Sequence, residues 1–272
     1  MDKKNYGQVF KKLKDFYNEY AKYYEKIYRD YLEKSENSLR SIYEKYLNNH
    51  SDKKWMIIDL GCGTGRQLKF FKDILGSKCL KAIGIDISES MIKLAKNKYY
   101  EIEWLEMDML KLDKNWVNCK IKEIKDTSNV EMLITCLGNT LAHLPYEEYE
   151  GFGTVLKNIC ISKNSLVVLE IRNGEKLKEE KPAIEILSIP NNKDFSFSFY
   201  HMHHKDNIYP TDVYFVDEKG TIKKWSNEIS YYVLTEKLRN VLEENFDITK
   251  ETEIQSYLKY GEIWILKSRN QQ

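Results

Sequence analysis

Three glycines occupy alternate positions of one short segment: Gly61, Gly63 and Gly65. The apolar pair Ile57-Ile58 before them is typical of a buried strand, and apolar residues within 67–75 recur at helical spacing. Glycine readily adopts positive φ and lets a ligand come close to the main chain. Because α/β sheets bind nucleotide-like ligands where a strand turns into a helix, this segment predicts such a site.

The spacing of these glycines excludes two common kinds of nucleotide site. The dinucleotide fingerprint G-x-G-x-x-G needs its third glycine where this chain has Arg66, and Gly65 comes one position too early. The chain also has no G-x-x-x-x-G-K-[ST] loop, so the sequence does not predict a triphosphate site.

Two acids accompany the glycine turn. Asp59 stands two positions before Gly61, and Asp86 ends a second apolar run, 21 residues after Gly65 (86 − 65). An acid about 20 residues past such a loop can accept hydrogen bonds from both hydroxyls of a ribose. The alternatives for Asp86 are a solvated acid in a turn or a helix cap, and we assign the cap to Ser88 instead.

The string Asp59-x-Gly-x-Gly-x-Gly65, followed by Asp86, resembles the cofactor motifs of class I S-adenosylmethionine-dependent methyltransferases. The resemblance implies S-adenosylmethionine as the cofactor and S-adenosylhomocysteine as its product. It also implies that the glycine turn passes close to the methionyl part and the ribose of the cofactor.

Further cofactor contacts follow from the same resemblance. In such enzymes an acid just past the third strand meets the adenine amino group, and Asp108 fits this place, with Glu106 and Asp113 as competitors. An arginine near the position of Arg40 holds the cofactor's carboxylate in related glycine enzymes, although a solvated helix-face arginine is the alternative here. The other residues implied for cofactor binding are Tyr28, Ile87, Met91, Met109 and Leu137.

The segment 135–145 carries the information on the methyl acceptor, because it follows a predicted fourth strand at the edge where α/β sheets place ligands. It lacks the Asn/Asp-Pro-Pro-Tyr motif of DNA and glutamine amide methyltransferases, which argues against planar nitrogens as acceptors. With 156–159 and 168–173, it instead resembles glycine and sarcosine N-methyltransferases. That resemblance covers about 20–172 and implies that Asn139 and Arg172 hold an amino-acid carboxylate, for which arginine offers a planar fork.

Two further side chains are candidates for catalysis. His143 either positions the substrate, accepts a proton, or is a hydrogen-bonded histidine at a helix start. Tyr24 lies in a tyrosine-rich helical region, 6–47, whose rings either form core or line a lid that contacts the sulfonium by cation–π interactions. We predict no metal site, because His201 and His203 share one face of a predicted strand and His204 points away.

The predicted function is transfer of a methyl group from S-adenosylmethionine to a small molecule by direct in-line displacement. The expected acceptor is the amine nitrogen of an amino acid or related amine, with or without a carboxylate. The alternatives are an O- or C-methyltransferase that uses His143 as base, a protein or RNA methyltransferase, and a binding module without turnover. With 43 basic and 42 acidic residues, the net charge of +1 gives no support to a nucleic-acid or membrane-surface role, and a homo-oligomer is left open.

Alternating strand and helix patterns predict the architecture: an α/β, Rossmann-like, seven-stranded, mostly parallel sheet with helices on both faces. A tyrosine-rich helical lid precedes the sheet, and an antiparallel β insertion follows strand five. The expected divisions are the lid at 1–50, the cofactor-binding core at 51–172, the insertion as substrate cover at 173–233, and the end of the core sheet at 234–272. Within these, 111–129 is expected to be loop or a short excursion, and 173–193 is expected to be loop-like.

The cysteines and the lengths of the apolar runs indicate in which cellular compartment the protein is expected. The five cysteines have no C-x-x-C spacing and are expected to be reduced, mostly buried thiols. The chain has no apolar run of 18 residues and no leading apolar segment, so we expect no membrane span or signal peptide. The expected location is the cytoplasm.

Overall fold

A computed structural model gives the structure of the protein. Its described residues are 3–48, 53–125, 130–162, 164–174, 184–188, 196–201, 208–216, 221–224, 229–233, 235–256, 258 and 260–269.

Two helices precede the sheet and contain most of the tyrosine-rich region. Helix α1 (Lys3–Ile27) and helix α2 (Arg29–Ile42) are separated at Tyr28, and a π-helical turn (Tyr43–Leu47) follows α2. In α1, Tyr20 is buried and stacks on Phe16 with ring centroids 4.9 Å apart. The helical spacing of the tyrosines therefore places some of them in a small core of their own.

After these helices, the described residues contain twelve strands and five further α-helices, joined by loops and short 3-10 turns. The strands are β1 (Lys54–Leu60), β2 (Cys79–Asp86), β3 (Glu103–Glu106), β4 (Val130–Cys136), β5 (Leu166–Arg172), β6 (Ile184–Ser188), β7 (Ser196–His201), β8 (Ile208–Val216), β9 (Ile222–Lys224), β10 (Ile229–Tyr232), β11 (Phe246–Glu251) and β12 (Gly261–Ser268). The helices are α3 (Arg66–Leu75), α4 (Glu89–Lys98), α5 (Lys114–Lys122), α6 (Tyr149–Ile159) and α7 (Thr235–Glu243).

The main sheet has seven strands in the order β11-β12-β5-β4-β1-β2-β3. Strand β12 runs antiparallel to both of its neighbours, β11 and β5, and all the other pairs in this sheet are parallel. The sheet is therefore mostly parallel, as predicted. Successive residues of a strand point to opposite faces. Accordingly, Ile57 belongs to the same buried cluster as Phe71 of α3, whereas Ile58 belongs to the cluster of Phe152 of α6 on the other face. Helices thus cover both faces, which confirms the Rossmann-like fold.

The start of α4 shows how local sequence sets the geometry near the site. The side-chain oxygen of Ser88 accepts a hydrogen bond from the backbone N–H of Met91 at 3.2 Å, which makes Ser88 the N-cap of α4. This is the cap that the sequence predicts, and it fixes the turn that holds Asp86 at the end of β2.

The insertion forms a second, antiparallel sheet, with β10, β8, β7 and β6 in that order and β9 beside β8. The strict alternation in 195–203 therefore corresponds to β7, while His203 and His204 lie outside the described residues. Strand β10 lies against α1 and against the 3-10 turn Thr140–His143 that follows β4.

The structure specifies one sequence expectation, that 111–129 is loop or a short excursion, and corrects another, that 173–193 is loop-like. The segment 111–129 contains helix α5, whose N-cap Asp113 accepts a hydrogen bond from Trp116 N at 2.7 Å. The helix escaped prediction because Val117 is its only fully buried residue, which leaves little apolar periodicity. The segment 173–193 contains strand β6 rather than loop alone.

Two further features of the described residues are the state of the cysteines and the length of the apolar helices. All five cysteines are free, and Cys62, Cys136 and Cys160 are buried. None of the helices in the described part of the chain is both long and apolar enough to cross a bilayer.

Candidate active site

A cavity lies at the carboxyl ends of the central strands and under helix α1. It holds about 1020 Å³ of space, part of it open to solvent. Its wall combines the glycine turn after β1, the ends of β2 and β3, the loop after β4 and one side of α1. This edge of the sheet is where α/β folds bind their ligands, so the cavity is the candidate site.

The three glycines have positive φ, but they serve different purposes. A Cβ on Gly61 would lie 2.2 Å from Cγ2 of Thr140, and one on Gly65 would lie 2.2 Å from Cη2 of Trp104. A Cβ on Gly63 would meet nothing within 4 Å. Gly61 and Gly65 therefore allow close packing, whereas Gly63 leaves the main chain open to the cavity.

Asp86 lies in the cavity wall at the end of β2. Its two oxygens accept hydrogen bonds from the backbone N–H groups of Gly63, at 2.8 Å, and Ser88, at 2.9 Å. Burial raises the pKa of Asp86, and these backbone donors oppose that shift by stabilising the charged form. The carboxylate is thus held rigidly against the glycine turn, where it can accept from ribose hydroxyls.

Asp59 lies beneath the turn and is not part of the cavity wall. The hydroxyl of Thr135 donates to its Oδ1 at 2.6 Å, and its Oδ2 is buried without a hydrogen-bond partner among the described residues. Burial raises the pKa of Asp59 to about 7. Through its hydrogen bond with Thr135 of the neighbouring strand β4, Asp59 is placed to support the glycine turn.

Of the three candidate acids Glu106, Asp108 and Asp113, Asp108 is the one that lines the cavity. The hydroxyl of Tyr6, in the first turns of α1, donates to its carboxylate at 3.2 Å. The two competing acids are engaged elsewhere, since Glu106 pairs with Lys14 and Asp113 caps α5. Asp108 therefore occupies the place expected for an adenine contact.

Most of the other predicted cofactor residues also line the cavity, namely Ile87, Met91, Met109 and Leu137. Two do not. Tyr28 packs against Tyr24, with ring centroids 4.9 Å apart, and only Tyr24 reaches the cavity wall. Arg40 is exposed, and its guanidinium lies 5.7 Å from the ring centroid of Phe70.

His143, in the turn after β4, lines the cavity. It is buried, and its Nε2 lies 2.8 Å from the hydroxyl of Tyr17 of α1. Its ring also contacts Tyr231 of β10, at 4.8 Å between centroids. Burial, and secondarily the positive charge of Arg172, lowers the pKa of His143 to about 3. The imidazole is therefore neutral at physiological pH.

Arg172 and Asn139 lie beside the cavity rather than in its wall. The guanidinium of Arg172 is 5.3 Å from the ring centroid of Tyr231, the same ring that contacts His143. The Nε of Arg172 and the Oδ1 of Asn139 are buried without hydrogen-bond partners among the described residues. Buried polar groups are normally paired, so these atoms are available to a polar ligand.

Glu170 was not among the predicted site residues, yet it organises the loop after β4. It is buried at the end of β5, and it accepts hydrogen bonds from the Tyr31 hydroxyl at 2.8 Å and from Gly138 N at 2.9 Å. The hydroxyl of Ser256 donates to its other oxygen at 2.7 Å. Glu170 thereby joins α2, the loop after β4 and the loop after β11.

Tyr6, Tyr17 and Arg66 are further wall residues that sequence reasoning missed. The regular tyrosine spacing in α1 was a signal for the first two, but it did not say which tyrosines face the sheet. No cluster of three or more histidine, cysteine, aspartate or glutamate side chains suited to a metal ion occurs in the part of the chain that the structure describes.

Comparison with known proteins agrees with this geometry. Residues 57–158 match the family model of a methyltransferase domain. The matched segment contains the glycine turn, Asp86, Asp108 and His143, all of which contribute to the cavity wall.

The curated relatives cover only part of the chain. An uncharacterised protein of Methanocaldococcus jannaschii is 37% identical over 87 residues, which is 32% of this chain and 29% of that protein. The chain spans about a third of the length of the curated relatives that it matches.

Solved structures match almost the whole chain in fold. A S-adenosylmethionine-dependent methyltransferase from Clostridium acetobutylicum has a TM-score of 0.66 at 17% identity, over 93% of this chain and 99% of that one. A sugar N-methyltransferase from Streptoalloteichus has a TM-score of 0.61 at 11% identity, over 86% and 87%. An amino pentose methyltransferase from Micromonospora echinaspora, with S-adenosylmethionine bound, has a TM-score of 0.59 at 13% identity, over 86% and 91%.

The family match and the shared fold support the predicted class I methyltransferase and its cofactor, S-adenosylmethionine. The cavity is compatible with this cofactor, because Asp86 and Asp108 present carboxylates in its wall and the main chain is open at Gly63; their ribose and adenine roles stay predictions. The resemblance to glycine and sarcosine N-methyltransferases stays a prediction.

Proposed function

We propose that this protein methylates the amine nitrogen of a small molecule, an amino acid or a related amine, with S-adenosylmethionine as the methyl donor. The observation that carries the proposal is the pairing of two features in one place. The cavity offers acids for an adenosine group, and beside it Arg172 and Asn139 hold buried polar atoms that no described residue satisfies.

The bound cofactor supplies a methyl group on positively charged sulfur, which a neutral amine can accept by direct in-line displacement. For such a reaction the protein has mainly to hold the reacting groups in line, and correct orientation alone supplies a large part of the rate enhancement. Asp86 and Asp108 hold the adenosine part, and the open main chain at Gly63 allows its close approach.

The acceptor side of the cavity suits a neutral amine better than a hydroxyl. Tyr17 and Tyr24 bring aromatic faces and hydroxyls to the cavity wall beside His143. With its pKa lowered to about 3, His143 is a poor proton acceptor for a hydroxyl substrate, which disfavours the O- or C-methyltransferase alternative that needs it as base. An amine loses its proton to solvent before it binds.

The positive charge of Arg172 favours an acceptor that also carries an anionic group. Arg172 is half-buried, and its Nε is buried without a hydrogen-bond partner among the described residues, which is costly for a donor of a charged group. A carboxylate would fit the planar fork of the guanidinium, whereas the unsatisfied Oδ1 of Asn139 is an acceptor and would suit a donor such as the N–H of the amine. The sugar N-methyltransferase and the amino pentose methyltransferase of the same fold support nitrogen as the acceptor atom, without supporting a carboxylate.

A methyl-transfer screen with mass detection tests this proposal. It compares amino acids, their decarboxylated amines and amino sugars as acceptors for S-adenosylmethionine. We expect a methyl group on nitrogen, with preference for the carboxylate-bearing member of each pair. The variant Arg172→Gln should remove that preference, while Arg239→Gln, at an exposed ion pair with Glu243, should keep it. A product methylated on oxygen or carbon would contradict the proposal.

A further inference from the structure

The cavity wall is poor in positive charge. Its described charged residues are Asp86, Asp108 and Arg66, so Arg66 is the one permanent cation among them. S-adenosylmethionine carries one anionic group, the carboxylate of its methionyl part. A buried or half-buried carboxylate needs a charged partner or several hydrogen-bond donors.

We propose that Arg66 binds the methionyl carboxylate of the cofactor, an inference that rests on the proposed function. Arg66 is the first residue of α3 and directly follows Gly65, so it is fixed to the same turn that opens its main chain to the cavity at Gly63. A ligand that passes along this turn reaches Arg66 without crossing another element.

The guanidinium of Arg66 is held on one side only. Its Nε and Nη2 donate to the same oxygen, Oε1 of Glu36 in α2, at 3.0 and 2.8 Å. No described residue accepts a hydrogen bond from Nη1. Glu36 is not part of the cavity wall, whereas Arg66 is. Glu36 therefore orients the planar group and leaves donors for a carboxylate, which arginine binds well in its plane.

The charged residues are also separated in the way that the cofactor requires. Asp108 follows β3, and Arg66 follows β1, two strands away in the sheet order. Two strand spacings amount to about 10 Å. Asp86, after the intervening strand β2, lies between them. The adenine, the ribose and the methionyl chain of the cofactor can therefore lie beside Asp108, Asp86 and Arg66, in that order.

Arg66 thus takes the part that the sequence resemblance implies for Arg40. Arg40 is exposed at the end of α2, against Phe70, and it does not line the cavity. Arg66 and Arg40 can be compared in one experiment. Each contacts a side chain outside the cavity wall, Glu36 or Phe70, but only Arg66 lines that wall.

The test compares two ligands that differ only in the carboxylate: S-adenosylmethionine and decarboxylated S-adenosylmethionine. Their dissociation constants are measured by calorimetry for the wild type, Arg66→Gln, Arg66→Lys and Arg40→Gln. We expect Arg66→Gln to weaken S-adenosylmethionine at least about tenfold and to leave the decarboxylated ligand within twofold, about the size of effect expected for a charged hydrogen bond. Arg66→Lys should retain part of the affinity, and Arg40→Gln should change neither ligand.

Thermal unfolding of each variant separates these effects from loss of the pair with Glu36. Equal weakening of both ligands in Arg66→Gln, or no weakening of either, would overturn the role of Arg66 while leaving the proposed function intact. A selective loss in Arg40→Gln would return the role to Arg40. A wild-type protein that binds neither ligand would overturn the proposed function itself.

Discussion

The hydroxyl of Tyr17 and the Nε2 of His143 lie 2.8 Å apart, although the two residues are separated by 126 positions in the chain. The contact joins helix α1 to the turn after β4, and both side chains line the cavity. The N-terminal helix is therefore part of the cavity wall and is tied to the loop after β4. Removal of this one hydroxyl tests whether the contact contributes to stability and to turnover.

Tyr17→Phe leaves the buried Nε2 of His143 without its partner. A buried polar atom that loses its hydrogen bond costs about 1–3 kcal/mol, so the free energy of unfolding should fall by that amount. We also expect kcat/KM to fall, because the ring of His143 loses its orientation. The control is Tyr100→Phe, at a side chain that is 90% exposed, where we expect no change. Equal stability of the two variants, measured in denaturant, would show that the contact contributes nothing.

The pH profile of turnover distinguishes the two roles that the sequence left open for His143. Since the pKa of His143 is lowered to about 3, its protonation does not change between pH 5 and 9. The rise of kcat/KM with pH should then follow the ammonium group of the acceptor, and His143→Gln should lower the plateau without moving that rise. If His143 is instead the general base, the variant would lose the pH dependence altogether.

Stability against pH should reveal two opposite contributions. The pKa of His143 is lowered from about 6.5 to about 3, so the unfolded chain binds more protons between these values and this residue destabilises the fold as pH falls. The pKa of Asp59 is raised from about 3.8 to about 7, so the folded protein binds more protons there and this residue stabilises it as pH falls. From pH 7 to pH 5 each contribution is about 2 kcal/mol, and the two nearly cancel.

Single substitutions should expose these contributions one at a time. From pH 7 to pH 5, His143→Gln should gain about 2 kcal/mol relative to the wild type, and Asp59→Asn should lose a similar amount. Denaturant unfolding at both pH values measures the differences, with Asp247→Asn as the control at an exposed carboxylate. Parallel curves for all four proteins would mean that neither group has its pKa shifted in the fold.

Gly63→Ala separates the cost of the backbone from the cost at the cavity. Gly63 and Gly76 both have positive φ and open space where a Cβ would stand, but only Gly63 lines the cavity. Alanine at either position should cost about 1–3 kcal/mol of stability through backbone strain. Only Gly63→Ala should also weaken S-adenosylhomocysteine binding. An equal loss of affinity in Gly76→Ala would place the effect in the backbone rather than in the approach of the ligand.

Features set by neighbours in the chain could be predicted from the sequence. The glycine turn, the acid at Asp86 and the cap at Ser88 each depend on residues a few positions apart or on a fixed strand length, and the structure has them where the pattern places them. Asp108 was separated from its competitors only by the fold, because Glu106 and Asp113 turned out to have other partners.

Features that depend on distant partners could not be predicted. The tyrosine spacing in α1 indicated a helix with one aromatic face, but not that Tyr17 meets His143. Arg66 was noticed only as a departure from a glycine pattern, and its place in the cavity wall depends on how α3 leaves the turn. Arg172 lies beside the cavity, with its guanidinium 5.3 Å from the ring centroid of Tyr231 in the second sheet, a contact that its strand position alone could not show.

The most direct test of the central claim is a calorimetric titration with S-adenosylhomocysteine, without any acceptor, of the wild type, Asp86→Asn and Glu89→Gln. Asp86 is in the cavity wall, whereas Glu89 is an exposed acid in the first turn of α4. We expect one binding site in the wild type, affinity at least about tenfold weaker in Asp86→Asn, and no change in Glu89→Gln. A wild type that does not bind the ligand, or an Asp86→Asn variant that binds it equally well, would contradict the account.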